Sequence, residues 1–323
     1  MAAGRFCSGA SSNCGEGSQA VEDLSCDWRA HCGAAGVGPR VPHHRFSDAP
    51  GLESAFFRGS PPLSGTVDDV TLRAIWRAVA LAFALAMCVV RYWLDRLRGP
   101  MTLERRALWL QGAARAILRV LDIRSQVEGQ PPVCGLVISN HLSYLDIIII
   151  SATMPCFFVA KMEIDGWPFF GKAARSGGTI FLDRKSLVSA AAAAGEISAR
   201  LRLGVPVLLF PEGTSTDGGT VLRFYTRLFQ PAIDAGSPVT AAAIRYVLND
   251  GLDEREMCWF GDAGFLPHLW KELGMSEFSA QVRFGRPRVY ADRKNAAAET
   301  RSEVVAMRQA WIGAAAPTDT VRA

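Results

Sequence analysis

The spacing of hydrophobic residues changes character twice along the chain. From Leu72 to Leu94 (LRAIWRAVALAFALAMCVVRYWL) apolar residues occupy every helical face, and thirteen consecutive residues, Ala78 to Val90, carry no charge. A membrane span needs roughly 20 apolar residues, about 17 at the short limit. Arg73, Arg77 and Arg91 flank the run and can extend their head groups toward water, while Trp76, Tyr92 and Trp93 suit an interface. The segment predicts a membrane-associated helix, either a marginal span or an oblique arm; the competing reading is a buried helix of a soluble domain. After Gly99-Pro100 the spacing becomes amphipathic. Over Leu103 to Leu121, Leu108, Ala114, Leu118 and Leu121 approximate one face with Arg105, Arg115 and Arg119 among them. Such a helix lies in an interface plane or covers a sheet.

From Val133 onward, short continuous apolar runs alternate with longer helical stretches. VCGLVIS (133–139) and VPVLLF (205–210) read as strands buried on both faces. Further strands are expected at 157–160, 179–183, 239–247 and 281–284, and helices from Ser143, over 187–203 and over 296–314. Alternation of this kind predicts an α/β fold. Residues 1–68 are rich in Gly, Ser, Ala and Pro and lack either period, which reads as a disordered or poorly ordered leader. The expected organisation is therefore a leader over 1–68, membrane-associated helices over 72–121 and an α/β domain over 122–323.

Composition sharpens this picture in two places. The 323 residues carry a formal charge of +4, yet Thr71 to Val120 alone holds nine Arg, no Lys and two acids (nine minus two, +7). Arg interleaved with Leu, Ala, Trp and Phe suits anionic lipid headgroups. No zinc-finger, RRM or helix-turn-helix signature accompanies it, so nucleic acid is not an expected partner. Cys7, Cys14, Cys26 and Cys32 lie near His31, but without a CxxC pair, and no metal site is expected there. Cys88, Cys134, Cys156 and Cys258 are isolated and read as small core residues of a reducing compartment. With no clean secretory signal, a cytoplasmic catalytic domain is expected.

The candidate chemistry sits where strands end. In NHLSYLD (Asn140 to Asp146), His141 follows a buried strand at the edge where ligands bind in open α/β sheets. Asp146, on the first turn of the next helix, can fold back to one imidazole nitrogen and leave the other as a base. The alternative is that Ser143-x-x-Asp146 is only a helix N-terminal capping motif. In FPEGT (Phe210 to Thr214), Pro211 ends a strand, Gly213 permits a turn, and Glu212 is placed at the same edge as His141. In GGTIFLDR (Gly177 to Arg184) a strand leads to Arg184, whose guanidinium can hold an anionic headgroup in bidentate fashion. Between these, Lys161, Trp167, Pro168, Phe169, Phe170 and Gly171 form a mixed aromatic and basic loop that shapes an acyl channel, touches the bilayer or simply packs.

NHLSYLD, GGTIFLDR and FPEGT, with the apolar run SPVTAAAIRY at Ser237 to Tyr246, occur in this order at the spacing of the phospholipid and glycerol acyltransferases, and the chain resembles that family over roughly residues 73–287. The resemblance implies an α/β fold with a central mixed sheet, preceded by a membrane-associated helical segment. It implies transfer of a fatty acyl group from acyl-CoA or an acyl carrier protein to a lysolipid hydroxyl, with 1-acyl-glycerol-3-phosphate giving phosphatidic acid. His141 would be the general base and Asp146 its orienter. Arg184 would hold the acceptor headgroup, and Glu212, Gly213 and Thr214 would contact its glycerol-like part. No cofactor is implied; the partners are the two substrates and a bilayer, at the cytoplasmic face of an inner membrane.

One departure bears on the acceptor. Members that acylate lysophosphatidic acid commonly have a basic residue after the FPEGT threonine, whereas Ser215 stands here, with Asp217 two further on. With FLPHLW (Phe265 to Trp270), this form resembles the subgroup containing lyso-ornithine lipid acyltransferases, making that lipid an alternative acceptor. A thioester or lipid hydrolase and a catalytically silent membrane scaffold are the readings from other classes.

Overall fold

The computed structural model describes residues 67–183, 186–248 and 252–315. Helix α1 (Val67–Leu97) spans the apolar segment, and α2 (Leu103–Leu121) spans the amphipathic one. Thr102 caps the start of α2 by accepting from the Arg105 N–H, and Asp122, with φ +55°, ends it in a left-handed cap. The face expected for α2 holds for Ala114, Leu118 and Leu121, which are buried, but not for Leu108, which is exposed.

The two sides of α1 differ sharply. Ala74, Arg77 and Ala84 are buried against the protein, whereas Leu72, Val79, Phe83, Val90, Trp93 and Leu97 form an exposed apolar stripe. The helix is long and apolar enough to cross a membrane. Arg77 does not reach outward to water as its position suggested. Its guanidinium turns inward and donates to the carbonyls of Met275 and Leu273 at 2.8 and 3.3 Å, at the C-terminal end of α8 (Phe265–Gly274). Trp109 of α2 donates to the Cys88 carbonyl of α1 at 3.0 Å.

Beyond these helices lies one seven-stranded mixed sheet, in the order β1-β7-β6-β2-β5-β3-β4. Its strands are β1 (Arg124–Glu128), β2 (Leu136–Ser139), β3 (Phe157–Lys161), β4 (Ile180–Leu182), β5 (Val207–Leu209), β6 (Val239–Leu248) and β7 (Phe278–Phe284). Strands β6, β2, β5, β3 and β4 run parallel, β7 is antiparallel to β6, and β1 is parallel to β7. Side chains alternate between two apolar layers. Val137, Leu208, Ile244 and Val282 pack with α2, α8 and α3 (Leu145–Thr153). Leu136, Ile138, Leu209 and Ala243 face α6 (Leu187–Arg202), α7 (Gln230–Asp234) and α9 (Arg293–Ala315). Burial on both faces explains why these strands read as unbroken apolar runs.

Several elements escaped the sequence reading. Strand β1, RSQVE, is exposed throughout and has no apolar pattern because it is a sheet edge. Helix α8 was noticed only as the segment FLPHLW. The aromatic and basic loop contains two short helices, α4 (Met162–Asp165) and α5 (Phe170–Ser176). Of the four cysteines expected as reduced core residues, Cys156 and Cys258 are buried free thiols and Cys88 is a half-buried one, whereas Cys134 is disulfide-bonded.

Candidate active site

The parallel strands deliver their following segments to a common edge, and β2 and β5, adjacent in the sheet, deliver His141 and Glu212. The chain leaves the sheet at Asn140, but the Asn140 side chain stays in register. Its amide donates to the Ile244 carbonyl at 3.1 Å and accepts from the Ile244 N–H at 2.9 Å, as a neighbouring strand would. This amide clamp fixes where His141 emerges.

His141 Nδ1 lies 2.8 Å from Asp146 Oδ2, so Nδ1 carries the proton and Nε2 is left as the lone-pair nitrogen. Asp146 is fully buried and spends both oxygens as acceptors. Oδ2 also takes the N–H groups of Leu142 and Ser143 at 2.6 and 3.0 Å, and Oδ1 takes the Tyr246 hydroxyl at 2.5 Å. The capping and base-orienting readings of this segment are thus not alternatives: one carboxylate folds back over the helix start and holds the imidazole. The N–H groups of Leu142 and Ser143 are consequently engaged and do not serve as free anion donors. Tyr246 reaches Asp146 because β6 overshoots β2: Ser139 pairs with Ala242, and β6 continues to Leu248. Burial, and then the adjacent Asp146 charge, push the Tyr246 phenol well up, which keeps it a donor. The imidazole stacks on Phe210 with ring centroids 4.1 Å apart and keeps part of its surface open.

Glu212 uses both carboxylate oxygens inside the chain. Oε1 accepts from the His141 N–H at 2.9 Å and Oε2 from the Leu222 N–H at 2.7 Å. Burial pushes its carboxyl above the usual range, and those two N–H donors, from Leu222 and His141, pull it back. Gly213 follows with φ +80°, a conformation that strains any residue with a Cβ, and it turns the chain out of β5. Thr214 is exposed, and the Ser215 hydroxyl donates to the Trp259 carbonyl, fastening the loop after Glu212 to the segment before α8. In GGTIFLDR, Gly178 has φ +83° and a Cβ there would stand 2.7 Å from the Phe157 ring. Arg184 lies outside the described residues.

Several participants had no local signal in the sequence. Arg308 of α9 is buried, donates to the carbonyls of Ile244 and Gly218, and pairs with Glu254 at 2.7 Å. Glu254 in turn accepts from the Tyr246 N–H at 2.8 Å. Tyr144 donates to Glu272 at 2.5 Å and lies 3.3 Å from His268 Nδ1, both on α8. Around it Trp259 and Phe265 make edge contacts, and Trp167 and Phe170 pack on Phe265. The aromatic loop therefore packs against α8 beside the histidine, without forming a separate unit.

An oriented imidazole at a strand exit, with a second strand exit bracing its backbone, is a device for removing a proton from an incoming nucleophile. Residues 125–245, which contain this device, match the model of the family described as Acyltransferase. The chain is 32% identical over 253 residues to a lyso-ornithine lipid O-acyltransferase of Pseudomonas aeruginosa, covering 76% of this chain and 93% of that protein. It is 34% identical over 211 residues to a 1-acyl-sn-glycerol-3-phosphate acyltransferase of Neisseria gonorrhoeae, covering 61% and 81% respectively. The crystal structure of the 1-acyl-sn-glycerophosphate acyltransferase of Thermotoga maritima superposes with a TM-score of 0.56 at 20% identity, over 75% of this chain and 95% of that one, and so shares the fold. By motif, by relatives and by fold, the chain belongs to the acyltransferase family related to the lysophosphatidic acid and lyso-ornithine lipid acyltransferases.

Proposed function

We propose that this protein transfers a fatty acyl group from an acyl thioester to the free hydroxyl of a lysolipid at a membrane surface. The observation that carries the proposal is the His141–Asp146 arrangement, which presents Nε2 as a base with its other nitrogen tied down. Nε2 takes the proton of the lysolipid hydroxyl as that oxygen attacks the thioester carbonyl. The tetrahedral intermediate then collapses, the C–S bond breaks, and the imidazolium returns the proton to the departing thiolate. A covalent acyl-enzyme is unnecessary. The buried Cys156 thiol is pushed up to about 12 by burial, and that of Cys258 is pushed up too, so neither offers a thiolate.

The family resemblance gave Glu212 to the acceptor. With both oxygens engaged on backbone, we assign it instead to holding His141, and leave acceptor contact to Gly213, Thr214 and Arg184. The apolar stripe of α1 supports a membrane-associated segment over residues 72–121, with the catalytic edge on the cytoplasmic side. 1-Acyl-glycerol-3-phosphate, yielding phosphatidic acid, is one acceptor. The Ser215 contact favours a second, lyso-ornithine lipid, because the loop is fastened there by a neutral hydroxyl and not by a cation that a phosphate monoester would meet. A panel of lysolipids with one labelled acyl thioester, read by lipid product and by free fatty acid, tests this. Product lipid should dominate; release of free fatty acid alone would make the protein a hydrolase. Ser215→Arg should raise activity on lysophosphatidic acid relative to lyso-ornithine lipid by roughly ten-fold if the charge is felt in the transition state.

A further inference from the structure

On the α9 side of the sheet, the segment that leaves Glu212 borders an open cavity of ≈ 500 Å³. Its lining includes Arg223, Lys294 and Arg301, together with the hydroxyl residues Thr226 and Ser302, and contains no acid. None of the three cations forms an ion pair among the described residues. The acids at and after the start of α9 are otherwise occupied: Asp292, just before the helix, accepts from the N–H groups of Lys294 and Asn295, and Glu299 and Glu303 face Arg288. Three like charges around one hollow repel each other unless an anion joins them. Arg and Lys with two hydroxyls is a donor set for phosphate oxygens, and the volume suits a nucleotide-sized group.

We propose that this cavity binds the phosphate-bearing handle of the acyl thioester donor. The inference rests on the acyl-transfer reading above and adds the donor site to it. Position separates donor from acceptor. Leu222, the residue before Arg223, donates its N–H to Glu212, which also holds His141. Arg301 then clamps the same segment by donating to the Leu222 carbonyl at 2.8 Å and to that of Val221 at 2.6 Å. Cavity and base thus share one braced stretch of chain, yet neither His141 nor Glu212 lines the cavity. An acceptor phosphate lies only a few bonds from its reacting hydroxyl and must stay beside His141. A thioester donor carries its phosphates at the far end of a long flexible arm, so that handle can be held in a cavity that His141 does not line. Phosphopantetheine is common to coenzyme A and to carrier-protein donors; the adenosine phosphates belong to coenzyme A alone.

The test is calorimetric titration of the full chain in detergent with adenosine 3′,5′-bisphosphate and with 4′-phosphopantetheine, for wild type and for Arg223→Gln/Lys294→Gln. Both substituted residues are exposed. Arg301 is left intact because it also braces the loop. Wild type should bind at least one probe, and the double variant should bind it roughly ten-fold more weakly, with the KM for the thioester rising in parallel. Bisphosphate binding marks a coenzyme A donor; phosphopantetheine binding alone marks a carrier-borne one. The proposal is overturned if neither probe binds wild type. It is also overturned if the variant, with its thermal midpoint unchanged, shifts the KM for the lysolipid and not that for the thioester. Probe binding without any acyl transfer would instead overturn the acyl-transfer reading and leave the anion site standing.

Discussion

Two histidines flank Tyr144 in space, and each faces a carboxylate, but the pairs are built differently. His141 donates from Nδ1 to Asp146, whose oxygens collect four donors in all: one imidazole, two backbone N–H groups and one phenol. His268 points Nε2 at the Cys258 carbonyl, 3.2 Å away, so that nitrogen carries the proton and Nδ1 is the acceptor. Among the described residues its carboxylate, Glu272, receives only the Tyr144 hydroxyl, and Glu272 Oε1, 3.4 Å from His268 Nδ1, has no hydrogen-bond partner. Burial, opposed by that single hydrogen bond, pushes the Glu272 carboxyl up to about 8, while burial lowers His268. At neutral pH the second pair is therefore neutral on both sides, with a protonated acid beside an uncharged ring. The number of donors, and not proximity to a histidine, decides which carboxylate can orient a base. The first pair is equipped for chemistry; the second holds α8 against Tyr144.

Substitution should separate the two pairs by size of effect. His141→Ala should lower kcat/KM by about 100- to 10,000-fold with the fold and membrane recovery intact. A purified variant within ten-fold of wild type would abolish the distinction. Tyr246→Phe removes one of the four donors and strands a buried carboxylate oxygen. It should destabilise the protein by about 1–3 kcal/mol and slow turnover several-fold, as read by denaturant melts and steady-state kinetics. Unchanged stability and rate would show that the phenol is not needed to set Asp146.

Glu272→Gln should leave turnover within a few-fold of wild type, and its signature is in stability against pH. Glu272 titrates at about 8 in the fold against 4.5 in the unfolded chain, so between those values the native state holds a proton the unfolded state has lost. Its stabilising contribution is full below 4.5 and is lost as pH rises through 8. From pH 7 to 8, where His268 with its lowered value is neutral in the fold and mostly neutral in the unfolded chain, wild type should lose about 1 kcal/mol. Thermal or denaturant midpoints across that interval should fall in wild type and stay flatter in Glu272→Gln; equal slopes would remove the neutral pair from the account.

The same contrast explains what the sequence could disclose. Asp146 folds back over five residues, so its relation to His141 is local and visible in NHLSYLD. The placement of Glu212 could be inferred because VPVLLF is plainly a buried strand and Pro211 must end it. Tyr246, Asn140 and Arg308 contribute through Asp146, Ile244 and Gly218, whose neighbourhood depends on β2 and β6 being adjacent. Nothing in the linear pattern states strand order, so those contacts were invisible even where the residues had been noticed, as Tyr246 was at the end of SPVTAAAIRY. Helix α8 was missed for a different reason: it is short, has a proline at its third position, and two of its three polar residues, His268 and Glu272, turn inward. The outward Arg77 was expected from the rule for membrane helices and overturned by a partner, the α8 carbonyl end, that the rule does not consider.

The inward turn of Arg77 has a bearing on how substrate is met. Because α1 is fastened to α8, and α8 packs on Tyr144, three residues after His141, a bilayer that takes up the α1 stripe would set the catalytic edge at one height above the lipid plane. Search for acceptor would then be a two-dimensional problem, with lysolipid arriving and product leaving by lateral diffusion. Rate should follow the mole fraction of lysolipid in the surface, so diluting it with inert lipid slows turnover while its bulk concentration stays fixed.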